Sequence, residues 1–161
     1  MQQVLVHDKI FIPYLSQTEI ETAVKELAEK ISTDYAGKTP LFIAILNGSF
    51  MFAAELFKWI TIPAEISFIK LDSYKGTTSS GHIITSIGLD TDITGKHVII
   101  LEDTIDTGKT LHQFLPQIYN QQPASLKIAP WLHKPKATKH EVNLDDHSVQ
   151  LTDKSAVRLG L

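Results

Sequence analysis

The sequence predicts an α/β fold, a mainly parallel twisted sheet flanked by helices. Three observations point there. Leu41 to Leu46 (LFIAIL) is an unbroken apolar run between Pro40 and Asn47-Gly48, the pattern of a strand buried on both faces. Strand-like and helix-like segments alternate along the chain, as in βαβ units. A second strand, His97 to Leu101, runs into acids, a glycine turn and an amphipathic stretch, and such strand ends are where α/β sheets place ligands.

The elements follow in order. Ser16-Gln17-Thr18-Glu19 has the S-x-x-E form of a capping box. Ile20, Ala23, Val24, Leu27, Ala28 and Ile31 then recur at helical spacing, and Gly37 is a natural stop. After the Leu41 to Leu46 strand, Asn47-Gly48-Ser49 breaks the run, and Phe50 to Trp59 reads as a helix. Ala64 to Leu71 reads as a strand, and Ser73 to Gly81 (SYKGTTSSG) as a polar loop. His82 to Ile87 and His97 to Leu101 are strands joined through a turn at Asp92 to Lys96. Lys109 to Gln121 is helical, with a kink expected at Pro116. Leu126 to Leu132 is strand-like, and Pro130 within it predicts a sheet edge or a bulge.

With 161 residues, the chain has the length of one domain, residues 1–161. Hydrophobic residues at 43% and charged residues at 20% indicate a globular chain rather than a disordered one. No apolar run approaches the ~18 residues of a membrane span. The N-terminus lacks a signal-peptide profile, and there is no cysteine for disulfides, thiolate zinc sites or a thiol nucleophile. A cytoplasmic protein is expected. The net charge of -3 leaves no surplus for a basic face, so neither nucleic acid nor membrane is an expected partner. Arg158 is the one arginine among fifteen basic residues. A phosphate would therefore be held by backbone N–H groups, lysines or a metal rather than by guanidinium forks.

The most informative segment is His97 to Leu111. A buried strand ends in Glu102 and Asp103, followed by Thr104, Ile105, Asp106, Thr107 and Gly108, and a helix begins at Lys109 and Thr110. Successive N–H groups at such a turn, with the helix dipole, cradle a phosphate dianion. Thr107 and Thr110 add hydroxyl donors, and Gly108 lets the backbone approach closely. Glu102 and Asp103 lie beside the phosphate, where ribose hydroxyls or a hydrated magnesium ion are their natural partners.

Ile99 to Thr110 (IILEDTIDTGKT) resembles the phosphoribosyl-diphosphate signature of type I phosphoribosyltransferases, and is most similar to that of the hypoxanthine (hypoxanthine-guanine) enzymes. Leu46 to Ala53 resembles that family's pyrophosphate loop, with Asn47 and Gly48 at the contact and a Leu46–Asn47 peptide that in the family can be cis. Ser73-Tyr74-Lys75-Gly76 resembles the start of its mobile lid. Lys134, in Leu132-His133-Lys134-Pro135, falls where the family has a lysine that donates to the exocyclic oxygen of the purine. The resemblance implies transfer of 5-phosphoribosyl from phosphoribosyl diphosphate to hypoxanthine or guanine, giving IMP or GMP and pyrophosphate in purine salvage. It further implies Asp106 as the general base at purine N7, Mg2+ as cofactor with Glu102 and Asp103 as its carboxylates, a small hood from the terminal segments, and a homo-oligomer (dimer or tetramer).

Residues 135–161 depart from that pattern and read as divergent and shortened. Val149 stands where the family has an aromatic residue stacking on the purine, and valine offers no π-face. Gly160-Leu161 matches a pair after which the family continues into an Asp-Tyr sequence that serves the diphosphate magnesium. Two alternatives therefore stay open: a non-catalytic phosphoribosyl-diphosphate or nucleotide-binding module, and a phosphoribosyltransferase for another purine such as xanthine.

Overall fold

The structure is a computed structural model that describes residues 3–71, 85–87, 90–105, 108–133 and 149–150. β1 (Val4–Val6) and β2 (Lys9–Phe11) form an antiparallel hairpin that is a separate two-stranded sheet. α1 (Gln17–Asp34) leads into a six-stranded sheet made of β3 (Leu41–Leu46), β4 (Glu65–Leu71), β5 (Thr85–Ile87), β6 (His97–Ile105), β7 (Ser125–His133) and β8 (Val149–Gln150). Its order is β5-β4-β3-β6-β7-β8. All pairings are parallel except β4 with β5. α2 (Phe50–Phe57) joins β3 to β4, and α3 (Lys109–Tyr119) joins β6 to β7.

Alternation along the strands divides the core into two layers. Phe42 and Ala44 of β3, Ile99 and Leu101 of β6, and Ala129 and Trp131 of β7 pack with α1 and α2. Leu41, Ile43, Ile45, Val98, Ile100 and Ile128 pack with Leu111, Phe114 and Ile118 of α3. A sheet covered on both faces needs strands without polar interruption, which is why the LFIAIL run is buried almost throughout. α1 buries the face that its spacing predicts, Val24, Leu27, Ala28 and Ile31. Its capping box is formed: the Glu19 N–H donates to Ser16 Oγ (3.2 Å), and the Ser16 N–H donates to Glu19 Oε2 (2.7 Å).

Three element boundaries differ from expectation. β6 does not end at Leu101; Glu102, Thr104 and Ile105 continue the ladder opposite Pro130, Leu132 and His133 of β7. Pairing with a neighbour carries the strand past the point where side-chain polarity begins. α2 stops at Phe57, because Lys58 and Trp59 close shorter turns onto the Glu55 and Leu56 carbonyls. α3 runs through Pro116 but ends at Tyr119 rather than at Gln121, and the Pro116 carbonyl accepts the Asn120 N–H at 3.0 Å. Pro130 lies inside β7, but β8 pairs only with Leu132 and His133, so among the described residues the flank beside Pro130 is open. That agrees with the edge placement its missing N–H requires. Of His82 to Ile87, only Thr85–Ile87 falls among the described residues.

Candidate active site

The chain leaves β3 toward one side of the sheet and β6 toward the other, although the two strands are adjacent, paired from Leu41↔Val98 to Ala44↔Leu101. Ligands of parallel sheets bind in the crevice at such a switch point. The two polar segments singled out from the sequence leave the sheet there together.

The first follows β3. The Leu46–Asn47 peptide is cis. Ser49 is fully buried, and its hydroxyl donates to the Ile45 carbonyl at 2.6 Å. The Ser49 carbonyl accepts the Ala53 N–H at 2.8 Å, which ties the loop to the first turn of α2. Beneath it, Phe52 stacks on Trp131 with ring centroids 5.5 Å apart, so helix and sheet form a firm floor.

The second segment carries the acids. Glu102, Asp103 and Thr104 are half-buried. The Asp103 N–H donates to Glu102 Oε1 at 3.1 Å, and the Thr104 N–H donates to Asp103 Oδ1 at 2.7 Å. Asp103 lies directly against Gly48. A Cβ built on that glycine would stand 2.5 Å from Asp103 Cγ and 2.8 Å from Oδ1, and would overlap Oδ2. Burial, followed by the hydrogen bond and charge of Asp103, pushes the Glu102 carboxyl up from 4.5 to about 8. Near neutrality Glu102 is thus mostly protonated. Ile105 is 2% exposed and its side chain is core, so its part in any site is limited to its backbone.

The turn closes at Gly108, which is buried, takes φ 76 and ψ 0, and caps α3 with no side-chain hydrogen bond. A left-handed cap suits glycine, and Gly108 itself brings no side chain to the first turn of α3. Lys109 and Thr110 are exposed on that turn. The Gly108 carbonyl accepts the His112 N–H at 2.9 Å. At the end of β7, burial lowers the pKa of His133. Asp106, Thr107, Ser73, Tyr74 and Lys134 lie outside the described residues. β8 sets Val149 opposite Leu132, next to the strand that leads to Lys134.

Residues 14–161 match the family model for the phosphoribosyl transferase domain. The chain belongs to the phosphoribosyltransferase family. It is similar to the hypoxanthine-guanine phosphoribosyltransferase of Streptococcus pneumoniae, 39% identical over 148 residues that cover 91% of this chain and 82% of that protein. A hypoxanthine-guanine phosphoribosyltransferase from Bacillus anthracis, solved with a HEPES molecule in its active site, superposes with a TM-score of 0.82 at 34% identity, covering 91% of this chain and 87% of that one. A hypoxanthine phosphoribosyltransferase variant from Trypanosoma cruzi complexed with IMP gives 0.78 at 31% identity, covering 87% and 76%.

In this phosphoribosyltransferase the structure brings Asn47, Gly48, Glu102, Asp103, Thr104, Gly108 and the start of α3 to one end of the sheet. Two participants escaped the sequence reading. Ser49 anchors the pyrophosphate-type loop from below, and its one local signal is a polar residue where an apolar run has just ended. The Gly48–Asp103 contact has no local signal, since its partners meet only through the pairing of β3 with β6. Among the described residues no three His, Cys, Asp or Glu side chains gather as a metal site, and no helix is long and apolar enough to cross a membrane.

Proposed function

We propose that this phosphoribosyltransferase serves purine salvage, transferring 5-phosphoribosyl from phosphoribosyl diphosphate to hypoxanthine or guanine and giving IMP or GMP and pyrophosphate. The observation that carries this is the meeting, at the switch point, of a loop suited to a diphosphate with an acid pair and a glycine-capped helix start suited to a ribose 5-phosphate. The hypoxanthine-guanine enzymes to which the chain is similar support this purine class over xanthine.

The bond from C1 of the ribose to the diphosphate oxygen breaks, and a bond from purine N9 to C1 forms. Backbone N–H groups of Asp106 to Thr110 hold the 5-phosphate, with Thr107 and Thr110 adding hydroxyls. Glu102 and Asp103 orient the ribose, Asn47 and Gly48 face the diphosphate, and Ser73 and Tyr74 open the lid that excludes water. Lys134 donates to the purine oxygen and Val149 covers the ring. Asp106 takes the N7 proton as N9 becomes nucleophilic. The donor set fits Mg2+: two adjacent, half-buried carboxylates match an ion that takes one or two carboxylates plus substrate phosphates. Held by Glu102 and Asp103 with the substrate, it would neutralise charge on the leaving diphosphate.

The rest of the reading is a single domain over residues 1–161, working in the cytoplasm as a homo-oligomer, dimer or tetramer, without nucleic-acid or membrane partners. The test is incubation with phosphoribosyl diphosphate, Mg2+ and hypoxanthine, guanine or xanthine in turn. Nucleotide from hypoxanthine or guanine is the expected result. Saturable binding without product would favour the non-catalytic module, and product from xanthine alone would redirect the specificity. Asp106→Asn should lose about 10²- to 10⁴-fold in turnover while still binding IMP, the usual range for a general base. Wild-type turnover in that variant would remove the base assignment.

A further inference from the structure

We propose that Gly48 is a positioning residue for Asp103: the missing side chain at Gly48 lets the Asp103 carboxylate seat against the pyrophosphate-type loop, and this sets the distance between the ribose and diphosphate ends of the site. The inference rests on the function proposed above.

Space, not backbone conformation, is what Gly48 provides. Gly37, Gly95 and Gly108 have positive φ, whereas Gly48 does not. A Cβ at Gly37 or Gly95 would meet nothing within 4 Å, while at Gly48 it would meet all three terminal atoms of Asp103. Neither wall can easily retreat. On the loop side, buried Ser49 is pinned through its hydroxyl to Ile45 and through its carbonyl to Ala53. On the acid side, Asp103 Oδ1 is held by the Thr104 N–H, and the ladder fixes Glu102 and Thr104 against β7. An added methyl group must push the carboxylate aside by about 1 Å to recover ordinary carbon contact distances. The acid that orients the ribose and the loop that faces the diphosphate therefore share one contact. A misplacement of about 1 Å among groups that orient a substrate costs about 10²-fold in rate.

A double-mutant cycle tests this. Gly48→Ala, Asp103→Ala and the double variant are compared for kcat and KM, and for thermal unfolding. Gly48→Ala alone should lower kcat about 100-fold and leave KM for hypoxanthine unchanged. In the Asp103→Ala background the same change should cost less than about twofold and should not lower Tm, because the clashing carboxylate is gone. If Gly48→Ala costs its full factor in both backgrounds, it acts through the loop alone and the inference is wrong. If Gly48→Ala proves too unstable to assay, rescue of folding by Asp103→Ala supports the contact, and no rescue refutes it. A wild-type protein that makes no nucleotide from any purine would overturn the proposed function, while the Tm comparison would still decide the Gly48–Asp103 coupling.

Discussion

Glu102→Gln probes the electrostatics of the acid pair without disturbing its shape. The Glu102 carboxyl titrates at about 8 in the folded chain against an ordinary 4.5, chiefly because it is buried and secondly because Asp103 adjoins it. Between those values the folded chain keeps a proton that the unfolded chain releases. Stability from this group is therefore complete below pH 4.5, falls as pH rises, and is gone by about pH 8. At about 1.4 kcal/mol per pH unit, that window sets an upper bound of about 5 kcal/mol. Glu102 is only half-buried, so solvent screening reduces the swing to about 2 kcal/mol. Glutamine keeps the volume and cannot titrate. Urea unfolding followed through buried Trp131, at pH 5, 7 and 9 and one protein concentration, should show Glu102→Gln gaining about 2 kcal/mol on the wild type from the lowest to the highest pH. A difference that stays flat across that range would refute the raised pKa of Glu102.

Two further outcomes follow from local geometry. Gly108→Ala places a Cβ on a residue at φ 76 and should cost about 1–2 kcal/mol in urea unfolding. It should also weaken phosphoribosyl-diphosphate binding measured by calorimetry, because the turn opens the helix that faces the phosphate. Ser16→Ala removes the cap of α1 and should cost about 1 kcal/mol near neutral pH. Hydrogen bonds from the Ser16 hydroxyl and N–H hold the Glu19 carboxyl below its usual 4.5. That contribution is present above pH 4.5 and is lost as pH falls through the lowered value, so the gap between Ser16→Ala and wild type should narrow in acid.

Features decided within one turn of chain were legible in the sequence. The capping box needs only Ser16 and Glu19, and both hydrogen bonds form. The LFIAIL run needs only its own six residues to show that both faces are covered, and it became a central strand. What stayed hidden was decided by neighbours remote in sequence. Polarity suggested that the strand from His97 stops at Leu101, yet the backbone of Glu102 to Ile105 finds partners on β7 and continues. That continuation half-buries Glu102 and raises its pKa, so one unforeseen ladder accounts for an altered strand boundary and an altered charge.

The same reasoning explains why the two motifs are a single site. Read along the chain, Asn47-Gly48 and Glu102-Asp103 are separate turns, each with an ordinary structural explanation. The sheet order sets β3 beside β6 while the crossovers through α2 and α3 depart in opposite directions, so both turns open into one crevice. There the carboxylate of one occupies the space that the glycine of the other leaves vacant. A sugar diphosphate has two anionic ends joined by a diol, and holding it requires anion-binding amides at both ends with hydroxyl acceptors between them. Neither turn alone supplies that sequence of groups; in the function proposed above, their apposition across β3 and β6 does. The glycine at 48 is then understood through Asp103, and the acid at 103 through the loop against which it rests.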